Sequence, residues 1–172
     1  MANIYDETDR SVIRKNQHMV EEDFQQLNAI IERIIKPYCK SLDDSIKQIT
    51  KALHDIHNPP TTTELDYYCM HLSTDIYWAA SMSEQLGIKD DISKAIYKET
   101  YNRVRDTSEG TVADKNTLAE LSSQQEYLTN VCYSRAYRIM KSKVENAQEL
   151  LQSIKKVLSH RISEQELTRI GG

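Results

Sequence analysis

Between about Asp114 and Ile162 the chain contains neither glycine nor proline, and from Tyr133 onward it carries an apolar seam of regular period. The seam reads Tyr133, Tyr137, Met140, Val144, Ala147, Leu151, Ile154 and Leu158. Its steps alternate four and three, the spacing of helices that wind around one another. A continuous helix over this stretch would extend about 70 Å at about 1.5 Å per residue. Such a helix needs a partner along its whole length, which predicts an elongated bundle or an oligomer. Tyr137, Met140, Val144, Leu151, Ile154 and Leu158 are the candidate oligomerisation contacts. Leu150 and Val157 widen the seam toward a bundle.

The rest of the chain is punctuated by only four Gly and three Pro, so its segments separate readily. A first helix is expected from about Asp9 to Lys36, with Met19, Val20, Phe24, Leu27, Ile30, Ile31, Ile34 and Ile35 recurring at three and four residues. Pro37 should end or kink it. A second helix, about Leu42 to His57, carries Leu42, Ile46, Ile49 and Leu53 on one stripe. Asn58-Pro59-Pro60-Thr61-Thr62-Thr63 reads as a rigid extended linker. Thr63 is then expected to cap a third helix to about Leu86, with Asp66 completing a variant capping box and Gly87 stopping it. A fourth follows from Asp90 to about Arg105, and a turn around Gly110 leads into the long final helix. The expected fold is all-α: an N-terminal helical hairpin (1–58), a Pro/Thr linker (59–63) and a helical core with the long C-terminal helix (64–172).

A length of 172 residues with 28% charged and 39% hydrophobic side chains suits one folded domain, with or without an appended arm. No apolar stretch approaches the roughly 18 residues of a membrane span. The acidic start, Met-Ala-Asn-Ile-Tyr-Asp-Glu, does not read as a signal peptide. Cys39, Cys69 and Cys132 are odd in number and far apart, as suits free thiols in a reducing compartment. The expected location is therefore cytoplasmic, in a host cell if the chain is phage-encoded.

Charge is unevenly distributed. Residues 1–111 hold 13 Lys/Arg against 19 Asp/Glu, and residues 112–172 hold 9 against 7. A net charge of −4 argues against a protein that simply coats nucleic acid. Local clusters can still attract phosphates, because screening confines each charge to about 8–10 Å. Arg135 and Arg138, with Lys141, Lys143, Lys155, Lys156 and Arg161, form one such cluster, or else the solvated flank of a coiled coil. The fourth helix is the stronger candidate. Lys94 and Lys98 are four residues apart, as are Tyr97 and Tyr101, so each pair shares a face. Arg103 and Arg105 follow. Phosphates would meet the cations and unstacked bases the rings. The alternative is inward tyrosines beside snorkelling lysines.

This order of features resembles the UvsY-type phage recombination mediators over about Glu64–Glu166. Leu65-Asp66-Tyr67-Tyr68 and Ile76-Tyr77-Trp78 are similar to that family's Tyr/Trp-bearing helix. Lys94-Ala95 looks like the opening of its Lys-Ala-Arg motif. Arg135-Ala136-Tyr137-Arg138 and Ser153-Ile154-Lys155 resemble segments of its long C-terminal helix. Ile96 stands where the motif has arginine, and residues 1–63 have no recognisable counterpart. The resemblance implies a helical homo-oligomer that binds single-stranded DNA and helps load a strand-exchange protein, with a recombinase or single-strand-binding protein as partner. A second class stays open: a phage-type inhibitor or adaptor that docks its acidic helical surface on another protein.

No catalytic motif stands out, and no cofactor is expected. His54-Asp55-Ile56-His57 lacks the spacing of a helical zinc site. Cys69 and His71 point different ways on a helix. There is no glycine-rich phosphate loop and no Gly-x-Ser-x-Gly elbow. The expectation is a non-enzymatic protein without a metal site.

Overall fold

The computed structural model describes the backbone of residues 4–170 and the side chains of residues 16–169. The first three residues of the acidic start and the last two glycines lie outside the described residues. Four helices make up the chain: α1 (Ile4–Leu53), α2 (Thr62–Thr107), α3 (Val112–Ser122) and α4 (Gln124–Ile170). No strand occurs among the described residues, and the protein is an all-α helical bundle. No described helix is long and apolar enough to cross a membrane.

Three of these helices run side by side. Paired residues on α2 and α4 move in opposite directions along the chain: Gln165 reaches Thr62, Tyr137 lies against Gly87, and Asn130 bonds Asp90. These two helices are therefore antiparallel. Asp43 with Lys143, and Pro60 with Arg161, set α1 parallel to α4. The short α3 folds back on the end of α2.

The core explains the arrangement. Leu65, Leu72, Ile76 and Leu86 of α2 interleave with Ala136, Met140, Ala147, Leu151 and Ile154 of α4, and α1 covers them with Ile31, Ile35, Cys39, Leu42 and Ile49. Small residues (Ala79, Ser83, Ala136 and Ala147) alternate with the large ones, which lets α2 and α4 approach closely. Each fully buried Leu, Ile or Met contributes about 1.5–3 kcal/mol relative to exposure.

Several sequence expectations need correction. The N-terminal hairpin is a single 50-residue helix that passes through Pro37. Proline removes one backbone donor, and here that loss falls on the exposed side, where water can serve the carbonyl of Arg33. The buried stripe on either side of Pro37 keeps the helix in place. Because that stripe belongs to the common core, residues 1–58 are not a separate module, and 59–63 turns the chain from α1 into α2.

Gly87 does not stop a helix; α2 continues through it for 20 more residues. Its lack of a side chain admits the Tyr137 ring, which would lie 3.3 Å from an added Cβ. Capping falls two residues earlier than expected. Thr61 and Glu64 form the box, with Thr61 N–H donating to Glu64 Oε2 at 2.7 Å and Glu64 N–H to Thr61 Oγ1 at 3.2 Å. Thr111 and Asp114 repeat the device on α3. The final helix does not start near Asp114, because the chain breaks at the buried Ser123 and restarts as α4.

The C-terminal seam is real but differently used. Met140, Val144, Leu151 and Ile154 are buried, and Tyr137 and Leu158 half-buried, against α1 and α2 of the same chain. The seam is thus consumed inside one molecule and leaves no oligomerisation face there.

One buried charge stabilises the α1–α2 contact. Asp75 is only 8% exposed. It accepts from Ser41 at 2.7 Å and from Ser45, with His71 3.5 Å away on its own helix. Burial would raise its pKa, but the bonds from Ser45, Ser41 and His71 outweigh burial and hold the carboxyl below its ordinary value. Beside it, Lys143 and Asp43 pair at 2.6 Å. The Cys39 thiol, buried and 3.2 Å from Asp43 Oδ2, is pushed up to about 11.

Two outcomes follow from this packing. A chain beginning at Thr61 loses the α1 wall over Leu72 and Met140, so it should lose its cooperative melt in circular dichroism; an intact melt would show that α1 is dispensable. Asp75→Asn should cost about 1–3 kcal/mol at neutral pH, because two buried hydroxyls lose a charged acceptor. The sign follows from a depressed folded pKa: the contribution is complete above the ordinary value of 3.8 and fades as pH falls below it. Urea unfolding of the two proteins should therefore converge in acid. A gap that persists unchanged at low pH would refute the charge-based origin.

Candidate nucleic-acid interface

The last four turns of α2 hold Lys94, Lys98, Arg103 and Arg105 against two acids, Glu99 and Asp106. One uninterrupted helix places them, because α2 runs on past Gly87 to Thr107. Lys94, Lys98 and Arg103 are exposed. Arg105 is half-buried and donates through Nε and Nη2 to Asp106 Oδ1, both at 3.1 Å. This neighbour neutralises part of its charge. An exposed pair of this kind adds only about 0–1 kcal/mol to stability.

The tyrosines turn the other way. Tyr97 and Tyr101 are half-buried. Their ring centroids are 6.3 Å apart, and Tyr97 also packs on Tyr127 of α4 at 5.5 Å with a 58° tilt. Tyr97 is thus held in the α2–α4 seam, with little free face to offer a base. Tyr127 is half exposed and lies at the mouth of this cluster. Sequence reading missed it, since the contact joins residues 30 apart in the chain. Its signal was limited to one tyrosine near the start of the last helix.

Next to the cluster, α2 and α4 enclose a cleft of about 480 Å³ lined by Ile92, Ser93, Ile96, Glu126, Thr129 and Tyr133 among others. Beside it Asn130 ties α4 to α2, donating to Ser93 Oγ at 3.0 Å and Asp90 Oδ1 at 3.1 Å. Glu126 Oε2 is buried there without a hydrogen-bond partner. Lys89 also lines the cleft, so its wall carries side chains of both signs, whereas Lys94 and Lys98 are exposed beside it. Ile96, about half exposed, borders the cleft.

Arg135 and Arg138 are exposed on α4. They stand about 12 and 16 Å beyond Tyr127 along that helix. They do not join the Lys94–Arg105 cluster. Of the other basic residues considered, Lys143 is tied to Asp43, and Arg161 donates to the carbonyl of Pro60. His54 bonds the carbonyl of Thr50 at 2.8 Å and belongs to the end of α1. No group of three or more His, Cys, Asp or Glu side chains able to hold a metal comes together among the described residues.

Comparison with protein-family models, with curated proteins and with solved structures returns no match.

The division between inward rings and outward cations has a thermal signature. Tyr97→Ala should cost about 1–3 kcal/mol, because it removes a packed ring from the seam. Lys98→Ala should stay within about 0.5 kcal/mol of wild type. Differential scanning calorimetry separates the two; equal melting of both variants would show that Tyr97 is not a packing residue.

Proposed function

We propose that this chain is a non-enzymatic single-stranded-DNA-binding assembly factor of the recombination-mediator kind, which helps load a strand-exchange protein. The observation that carries the reading is the excess of cations on α2 between Lys94 and Arg105, adjoining the Tyr97, Tyr101 and Tyr127 rings. In this reading Lys94, Lys98 and Arg103 contact phosphates, and Tyr101 and Tyr127 receive bases at the edge of the ring cluster. Tyr97 positions the other two rings. Arg135 and Arg138 would extend the path along α4. The protein partner is a recombinase or single-strand-binding protein. Self-association would multiply weak sites, since linked sites gain about 10²–10⁴ in apparent affinity without new contacts.

A second reading, an inhibitor or adaptor acting on another protein, is favoured by the N-terminal part of α1. Val20 and Phe24 continue the core stripe of Leu27, Ile31 and Ile35, yet both are exposed. Glu21, Glu22 and Asp23 surround them, so a basic surface would suit that end. The two readings are compatible if the mediator holds its protein partner there.

Fluorescence anisotropy with a labelled oligonucleotide tests the DNA reading. Lys94→Ala with Lys98→Ala should weaken binding and reduce the log–log salt slope by about 0.7 per lost contact. Tyr127→Ala should cost about 1–3 kcal/mol per stacked base and leave that slope nearly unchanged. Absence of binding by wild-type protein at about 10 μM in low salt, within the range of ordinary non-specific affinity, would reject the reading. The adaptor reading would then stand alone.

A further inference from the structure

Only one side of α2 faces the core. A second apolar stripe follows the opposite side, formed by Tyr67, Met70, Tyr77, Trp78, Ile88 and Ile92, which are 53–69% exposed. Tyr67, Met70, Thr74, Tyr77, Trp78 and Ser81 follow the three-and-four spacing, and Ile88 and Ile92 resume it beyond Glu84 and Gln85, about half a turn from Leu65, Leu72, Ile76 and Leu86. Thr74 and Ser81 fill the gaps, so from Tyr67 to Ser81 the face carries no charge. The Tyr77 and Trp78 rings meet edge to face at 5.5 Å and stand out from the helix together.

The size of this stripe matters. The six large residues expose roughly 700–800 Å² in all, against roughly 300–600 Å² for the largest apolar patch of a typical monomer. It is close to the roughly 800 Å² that each partner contributes to a standard interface. A neutral apolar strip selects a neutral apolar partner, and an identical strip on another copy meets that need.

The rims of the stripe choose the orientation. Asp66 and Glu84 lie along one rim. His71 and Lys89, each five residues further on, lie along the other, and all four are exposed. In parallel helix pairs, charges on opposite rims five residues apart face each other. In an antiparallel pair each rim meets itself, which would set carboxylate against carboxylate. Lys89 also donates through its terminal Nζ to Tyr38 Oη of α1 at 2.8 Å, a neutral acceptor that leaves the ammonium's charge uncompensated beside that rim.

We propose that a second copy of this chain covers the outer face of α2, the two α2 helices running parallel about a two-fold axis along the stripe. Asp66 and Glu84 then face the partner's His71 and the partner's Lys89. The interface is self-complementary, as two-fold symmetry requires. It lies on the opposite side of α2 from the core and leaves Lys94 and Lys98 uncovered. The inference does not rest on the DNA reading, and the two are tested by different measurements.

Light scattering on the full chain at about 100 μM, well above the dissociation constant of a micromolar dimer, should give twice 19.9 kDa. Tyr77→Glu with Ile88→Glu places charges in the stripe and should raise the dimer dissociation constant about 100-fold or more, with helicity unchanged because both positions are exposed. Met70→Lys supplies an independent variant should the pair lose helicity. Ser81→Cys should cross-link to itself under mild oxidation, since Ser81 faces the partner's Ser81 in a parallel pair. Cys39, Cys69 and Cys132 are buried and do not compete, and Ser153→Cys, exposed on α4, should remain uncross-linked. A monomeric wild type overturns the proposal. So does a dimer whose mass ignores the stripe variants, and a dimer in which Ser81→Cys stays uncross-linked overturns the parallel pairing.

Discussion

Leu72 and Leu86 of α2, with Ala136, Met140 and Ala147 of α4, are fully withdrawn from water, and the rest of the structure is arranged around that seam. It consumes the most regular apolar pattern in the chain. The small residues within it bring two helices of 46 and 47 residues close enough to share one core over most of their length. α1 then lies in the remaining groove, where Ile35, Leu42 and Ile49 are its anchors and Asp75 its polar lock. A buried carboxylate with two hydroxyl donors adds little net energy by itself. Its larger effect is on register, because sliding α1 by one turn would leave the charge with one hydroxyl donor in place of two.

Packing of this kind uses one side of each helix and leaves the other free. For α2 the consequence is marked, since its outer side carries an apolar stripe along the first two thirds, and near its end Lys94, Lys98, Arg103 and Arg105 outnumber Glu99 and Asp106. The helix thus connects three surfaces: a core, an apolar outer stripe and a cationic tip beside three tyrosines. An assembly factor needs separate surfaces for nucleic acid and for protein, and a long helix supplies them by position along its axis and around its circumference.

The all-α class was legible because helix-breaking residues are scarce and apolar positions recur at three and four. What eluded the sequence was context. Pro37 and Gly87 look like punctuation, yet α1 absorbs the proline on its exposed side and α2 uses the glycine to admit Tyr137. Two threonines at the start of α2 present equivalent capping chemistry, and only the chain path chooses Thr61 over Thr63. The 3.5-residue seam was read correctly as a helix-packing surface, but a seam does not say whether its partner belongs to the same chain. At the candidate site, the Lys94–Lys98 face was visible from spacing alone. The inward turn of Tyr97 and the arrival of Tyr127 depend on α4 crossing at that level, which no local pattern encodes.

The central claim is that α2 divides its labour, with DNA at the basic tip and protein contact along the outer stripe. Ultraviolet cross-linking of a bromodeoxyuridine-substituted oligonucleotide to the full chain, followed by peptide mapping, tests this directly. The account predicts adducts on Tyr101 and Tyr127 and none on Tyr67, Tyr77 or Trp78. Adducts concentrated on Tyr77 and Trp78 would place nucleic acid on the outer stripe and contradict it.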